Sequence, residues 1–323
     1  MTRYLITGGG GFVGQWVARA LIQRGEPATL AGLASPGGGT PVLTDDERAA
    51  VRWIAVDVRR ADDIAAAVDA ARPDVVLHLA GVAFPPDGDR DPASTYDVNT
   101  LGLVRLLGIL ESRRRAGALD PMVVVVGSAY QYGVHDAAEM PLAESAEQRP
   151  VTAYAASKAA QEIVALEAFR ADGLRVVCTR SFNHSGVGHA PHYLLPSLVQ
   201  RALALKAARG TSLAIGADAV RDFLHVRDVA SAYLALAERG RPGEVYNVAS
   251  GVGLTVRRLA ADVLLQAGVA ADISSHPALL RSSDIPVLVG SPAKLARDTG
   301  WAPRLTHADI IADLLRSAHA ATD

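Results

Sequence analysis

Apolar positions fall in short blocks that change their period along the chain. Residues 3–7, Arg3-Tyr-Leu-Ile-Thr7, form an apolar run that predicts a buried strand, and Trp16 to Leu21 then repeats apolar residues at helical spacing. The same alternation returns downstream. Strands are predicted at 28–33, 51–56, 74–80, 122–126 and 174–179, with helices at 100–114 and 154–169 among the intervening segments. Six strands alternating with helices and joined by right-handed crossovers predict an α/β fold, a Rossmann doubly wound parallel sheet. From about residue 189 the blocks shorten to a helix at 194–208, an apolar piece at 220–225 and a strand at 245–249. This predicts a dinucleotide-binding domain over 1–188 and a smaller C-terminal substrate-binding lobe over 189–323, with 220–250 returning to the first domain. No internal repeat or low-complexity linker interrupts the pattern.

Composition narrows the classes. A chain of 323 residues, half of them hydrophobic, can bury a full core and is unlike a disordered one. The net charge of -2 and the scattered charges give no polybasic stripe, so no nucleic-acid or membrane-surface partner is expected. The run Arg113 to Arg115 ends a predicted helix, where cations sit favourably in any case. The single cysteine, Cys178, lies in an apolar run, which excludes an intramolecular disulfide and fits a reducing cytoplasm. No leader-like segment opens the chain and no apolar run reaches membrane-spanning length, so a soluble cytoplasmic protein is expected.

The chemistry-bearing positions cluster at predicted strand ends. Gly8, Gly11 and Gly14, with Phe12 and Val13 between them, join the first strand to the first helix. That spacing serves a dinucleotide: one glycine for a tight turn, one for approach of the pyrophosphate, one for close helix packing. Asp57 and Val58 follow the third strand, where an adenine edge would lie, and Leu79, Ala80, Gly81 and Asn99 fall along the same crevice. The second strand ends in Ala34-Ser35, with neither a carboxylate for a ribose 2'-hydroxyl nor an arginine for a 2'-phosphate. Both NADP and NAD therefore stay open, with Ser35 and Arg59 or Arg60 as possible partners of a 2'-phosphate. His78 reads as a satisfied core histidine. His189-x-x-His192 has no third ligand at a matching spacing, so it reads as a loop and no metal is expected.

Tyr154-Ala-Ala-Ser-Lys158 carries the sharpest signal. Two side chains four apart share a helix face, so an ammonium can reach a neighbouring phenol and move its pKa toward the working range. The chain has only three lysines, Lys158, Lys206 and Lys294, so this placement is conspicuous. Ser128 ends the fifth strand, in the crevice where such sheets bind ligands.

Gly8-x-x-Gly11-x-x-Gly14, Ser128, Tyr154-x-x-x-Lys158, Arg180-Ser-Phe-Asn183 and Val220-Arg-Asp-Phe223 together resemble the extended short-chain dehydrogenase/reductase family, also called the NAD-dependent epimerase/dehydratase family. Members act on nucleotide-activated sugars, and the resemblance spans almost the whole chain. Within that family Leu280 to Ser291, Thr299 to Arg304 and Phe182-Asn-His-Ser-Gly186 are similar to the GDP-4-keto-6-deoxy-mannose reductases.

The resemblance implies a catalytic set of Ser128, Tyr154 and Lys158, with Tyr154 as proton donor, Lys158 as its partner and a ribose contact, and Ser128 bonded to the reacting oxygen. It implies Phe182 as a further cofactor contact and Ser128, Tyr130, Asn183, Arg221 and Arg281 around the nucleotide-sugar. Arginine suits a buried diphosphate because its planar guanidinium stays charged and donates in pairs.

Dehydratases of the family carry a glutamate two residues after the hydroxyl residue, and fucose-synthase relatives a cysteine at that same place. Here it is Tyr130, which disfavours both dehydration and epimerisation through C5. Ser282 and Val187 stand where the reductases usually have proline. What remains is reduction at C4 of a 4-keto-6-deoxyhexose. A dTDP-sugar ketoreductase, a sugar 4-epimerase that keeps its NAD bound, and a non-catalytic dinucleotide module are the alternatives. A homodimer through the helices 100–114 and 154–169 is implied too. Leu103, Leu106, Leu107 and Leu110 give the first helix more apolar positions than one buried stripe requires, and Ala155, Ala159, Ile163 and Leu166 offer a small-residue face.

Overall fold

The computed structural model describes residues 1–33, 41–276 and 285–320. Six strands come first: β1 (Tyr4–Thr7), β2 (Ala28–Gly32), β3 (Arg52–Ala55), β4 (Val75–His78), β5 (Met122–Ser128) and β6 (Val176–Ser181). Seven follow: β7 (Asn183–Ser185), β8 (Ser212–Ile215), β9 (Val220–His225), β10 (Val245–Val248), β11 (Gly253–Thr255), β12 (Asp272–Ser275) and β13 (Val287–Leu288).

The main sheet has the order β3-β2-β1-β4-β5-β6-β10 and every pairing in it is parallel. Every residue of β1 and β4 is buried, as expected of strands covered on both faces. On one face the helices Phe12–Gln23 and Val226–Arg239 pack Trp16, Val17, Leu21, Val229, Tyr233 and Leu236 into a core with Leu30, Leu77 and Val124. On the other, the helices Ala61–Ala71, Gly102–Arg115 and Ala153–Asp172 cover Leu5, Val76, Val123 and Val125. Strand order reverses between β1 and β4, which opens a crevice at their C-terminal ends.

The lobe holds two small sheets. In one, β9 pairs with β7, β11 and β13; in the other, β8 pairs with β12. Its core joins Leu195, Leu198 and Val199 to Leu259, Val263, Ile310 and Ile311. Within the expected return at 220–250, residues 220–225 form β9 of a lobe sheet with Leu224 packed into the first core, and the helix Val226–Arg239 and β10 join the main sheet's layers. Leu295 and Trp301, near the chain's end, also pack into the first core.

Two readings of the 100–114 helix change. The helix Gly102–Arg115 is preceded by a π turn, Asp97–Leu101, whose wider loop turns Asn99 fully inward. Leu103, Leu106, Leu107 and Leu110 are all buried in their own domain's core, so they are not surplus. The large apolar residues exposed on the π turn, the helix Gly102–Arg115 and the helix Ala153–Asp172 are Leu101 (46%), Val104 (42%) and Ile163 (62%).

Candidate active site

The glycine loop sits where β1 meets the helix Phe12–Gln23. Gly8 has φ +70°, and a Cβ there would lie 2.7 Å from the Ala80 backbone nitrogen, so β1 and the end of β4 touch only because residue 8 lacks a side chain. At Gly14 a Cβ would meet the Gly8 carbonyl oxygen at 2.6 Å, which is the close helix packing expected of the third glycine. At Gly11 it would meet only that carbonyl, at 3.1 Å, leaving open space beyond. Gly11 caps the helix without a side-chain hydrogen bond, so the first-turn N–H groups with Phe12 and Val13 face an open cradle suited to a pyrophosphate. The residues present therefore fit a dinucleotide.

Around this cradle the predicted contacts divide. Val58 is buried and lies against Gly102. The Asp57 carboxylate is held by Arg59 at 2.6 Å, and Arg60 lies 3.3 Å from Asp63, so both arginines already have carboxylate partners. Ser35, Arg281 and Ser282 lie outside the described residues. Leu79, Ala80 and Gly81 run past the end of β4, where a Cβ on Gly81 would lie 2.8 Å from Asn99 Oδ1 and 3.4 Å from Lys158 Nζ. Gly81, Asn99 and Lys158 thus share one crevice. Asn99 accepts from the Val82 N–H at 2.7 Å and donates to Ser157 Oγ at 2.9 Å, tying the π turn to the helix that carries Tyr154.

That helix, Ala153–Asp172, starts at Thr152, whose hydroxyl accepts from the Ala155 N–H. Tyr154 is buried with its phenol near enough to Ser128 to be influenced by that hydroxyl, and its ring makes an edge contact with the Tyr130 ring, the centres 6.2 Å apart. Burial pushes the phenol pKa up to about 12, and the nearby Ser128 hydroxyl pulls it back only in part. Lys158 Nζ donates to Val126 O at 2.8 Å and Gln161 Oε1 at 3.0 Å, and burial lowers it to about 8. The ammonium does not bring the phenol toward neutrality in this geometry: Lys158 Nζ is turned to Val126 O and Gln161 Oε1, and burial sets the phenol's shift. At neutral pH Tyr154 holds its proton, the state a proton donor needs.

The substrate side is polar but under-partnered. Asn183, in β7, leaves its buried Oδ1 without a hydrogen bond. Arg221 is buried in β9, donates to its neighbour's carbonyl Val220 O at 2.9 Å, and among the described residues pairs with no carboxylate. A buried guanidinium without a counter-ion suits an anionic ligand. The Phe182 ring instead packs in a small core with Tyr132, Leu142 and Leu288, a Cβ on Gly290 would lie 2.2 Å from it, and its backbone N–H and carbonyl are already bonded to Val248 O and His184 Nδ1.

His78 is fully buried and its Nδ1 is bonded to Thr7 Oγ1 at 2.9 Å, but Nε2 has no partner, so it is only half satisfied. His189 stacks on Phe12 at 4.5 Å and on Tyr193 at 4.0 Å, and His192 lies against Phe84 and Tyr193. Both are held by rings. Among the described residues no group of three or more metal-capable side chains occurs.

Sequence reasoning missed a buried ion pair behind Ser128. Arg180 donates to Glu162 through Nε at 2.9 Å and Nη2 at 2.7 Å, and its guanidinium lies 4.7 Å from the centre of the Tyr132 ring. The signal was available: Glu162 continues the four-residue spacing of Tyr154 and Lys158 on one helix face.

Comparison with known proteins places the chain among sugar-nucleotide enzymes by similarity. The chain is 36% identical over 236 residues to GDP-6-deoxy-D-mannose reductase of Pseudomonas aeruginosa, covering 72% of this chain and 76% of that protein. It is 30% identical over 332 residues to UDP-glucose 4-epimerase of Streptomyces lividans, covering 96% and 94%. The solved structure of RMD from Pseudomonas aeruginosa complexed with NADPH superposes with a TM-score of 0.83 at 30% identity, covering 99% and 100% of the two chains. Since the model of the NAD dependent epimerase/dehydratase family also matches residues 4–249, three quarters of its length, the chain belongs to that family.

Proposed function

We propose that the chain is an NAD(P)H-dependent C4 ketoreductase of a nucleotide-activated 4-keto-6-deoxyhexose, with GDP-4-keto-6-deoxy-D-mannose as first choice. The observation that carries the reading is the buried, protonated phenol of Tyr154 near Ser128 and beside Tyr130, where a dehydratase would hold its base. The cofactor supplies hydride to the sugar C4. Tyr154 then gives its proton to the oxygen that becomes hydroxyl, and Ser128 donates a hydrogen bond to that oxygen as negative charge builds. Lys158 keeps a positive charge beside the developing oxyanion and the ribose. Arg221, Arg281, Asn183 and Tyr130 hold the nucleotide-sugar in the lobe, while Gly8, Gly11, Gly14, Asp57, Ala80, Gly81 and Asn99 line the cofactor's path.

Identity to the reductase of Pseudomonas aeruginosa supports the GDP-sugar, and the NADPH bound by RMD supports a reducing role. The 4-epimerase reading draws on the long match to the Streptomyces lividans enzyme. Loss of NADPH absorbance with GDP-, dTDP- and UDP-linked 4-keto-6-deoxyhexoses tests the proposal. Net oxidation with one of them supports it, whereas tightly held NAD with interconversion of UDP-hexoses would favour the epimerase. No chemistry at all would return the chain to a binding module. Both cofactors should serve, with NADPH only modestly preferred, because Arg59 and Arg60 must share their charge with Asp57 and Asp63.

No helix among the described residues is long and apolar enough to cross a membrane, and a cytoplasmic location remains part of this proposal. So does a homodimer, through the face bearing Leu101, Val104 and Ile163; light scattering at micromolar concentration decides it.

A further inference from the structure

Gln131 lies three residues after Ser128 and is fully buried, a place that calls for a polar group only if both ends of it are used. They are. Its Oε1 accepts from the Ser128 N–H at 2.8 Å, and its Nε2 donates to Glu162 Oε2 at 3.0 Å and to Gln148 Oε1 at 3.3 Å. The space for this carboxamide exists because residue 127 is glycine: a Cβ there would lie 2.5 Å from Gln131 Oε1.

Glu162 belongs to the helix of Tyr154 and Lys158, on the face that both side chains occupy. Its carboxylate is pinned by Arg180 and by Gln148 Nε2 at 2.6 Å, so the anchor at the far end of Gln131 cannot swing. Lys158 ties the same helix to β5 at Val126 O. The path Glu162–Gln131–Ser128 is a second tie, and it ends on the backbone of the residue whose hydroxyl acts on the Tyr154 phenol.

We propose that Gln131 is a positioning residue for Ser128, fixing that hydroxyl against Tyr154 through Glu162. The identity of the reacting oxygen rests on the ketoreductase reading; the tie itself does not. A carboxamide is the side chain that meets both demands, since the Ser128 N–H needs an acceptor and Glu162 needs a donor. A carboxylate at 131 would oppose Glu162, and an apolar group would leave the N–H and a carboxylate lone pair unmet.

The test uses Gln131→Met, which keeps volume and removes both bonds, and the exchange of Gln131→Glu with Glu162→Gln, which restores an acceptor for Ser128 and a bond between the two side chains. Three properties are measured: NADPH affinity, kcat and KM, and the ring-carbon NMR resonance of Tyr154, assigned with Tyr154→Phe. In Gln131→Met we expect kcat to fall about 10- to 100-fold, the effect of a small misplacement of a reacting group, with KM and NADPH affinity near wild type. The Tyr154 resonance moves, and the exchange recovers part of both effects. A folded Gln131→Met protein with wild-type kcat and an unmoved resonance overturns the proposal. Should that variant not fold, Gln131→Asn, too short to span both partners, is read the same way. If the wild-type protein reduces no sugar nucleotide, the functional reading falls while the resonance still decides the role of Gln131.

Discussion

Lys158 offers a test in which stability and activity move in opposite directions. Its ammonium is buried with two neutral oxygens for partners, Val126 O at 2.8 Å and Gln161 Oε1 at 3.0 Å, and no carboxylate among the described residues faces it. Burial lowers its pKa from 10.5 to about 8. That gap amounts to roughly 3 kcal/mol against the charged form in the folded chain. Below pH 8 the whole penalty is present. Between about 8 and 10.5 the unfolded chain holds a proton that the folded one has released, so this contribution makes stability rise with pH across that window.

Lys158→Met should therefore raise stability at pH 7 by about 1 to 3 kcal/mol, less at pH 10, while abolishing turnover. In the wild-type protein kcat/KM should fall about tenfold per pH unit above about 8 as the cation is lost. Urea unfolding at the two pH values and a kcat/KM profile from pH 6 to 10 measure both. A Lys158→Met protein that is less stable at pH 7, or a profile flat to pH 10, would refute the reasoning that this lysine is held charged against its surroundings.

Three further outcomes follow from the site. Tyr154→Phe should keep NADPH binding and lose about two to four orders of magnitude in kcat, read in single-turnover mixing, because only the donated proton is removed. Arg221→Ala should weaken binding of the free nucleoside diphosphate by about 2 to 5 kcal/mol in calorimetric titration, and unchanged affinity would make Arg221 a purely structural residue. Arg180→Met removes both guanidinium bonds to a buried carboxylate and should cost about 3 to 5 kcal/mol in urea unfolding.

The central strands β1 and β4 were legible because each is a mostly apolar, fully buried run, and the glycine loop because its spacing answers a backbone demand that Gly8 and Gly14 visibly meet. Tyr154, Lys158 and Ser128 were legible for a similar reason: helix period and strand end place them without knowledge of distant contacts. The phenol's pKa was not. It depends on burial beneath the lobe and on where the Lys158 side chain turns, both set by tertiary packing. The leucines of the helix Gly102–Arg115 misled because periodicity counts apolar positions but not the neighbours that cover them. Here the helices Ala61–Ala71 and Ala153–Asp172 share that core. Gln131 carried one local signal, the Ser128-x-x-Gln131 spacing of a capping box, but its partners at Glu162 and Gln148 are set by tertiary packing.

The central claim is that hydride reaches C4 of a 4-keto sugar while Tyr154 supplies the proton. Incubation with NADPH deuterated on the transferred face and GDP-4-keto-6-deoxy-D-mannose measures it most directly. The account predicts one deuterium at C4 of the hexose, one NADP formed per sugar reduced, and near-complete loss of transfer in Tyr154→Phe. Deuterium that stays on the cofactor while the sugar is epimerised or left unchanged would contradict it.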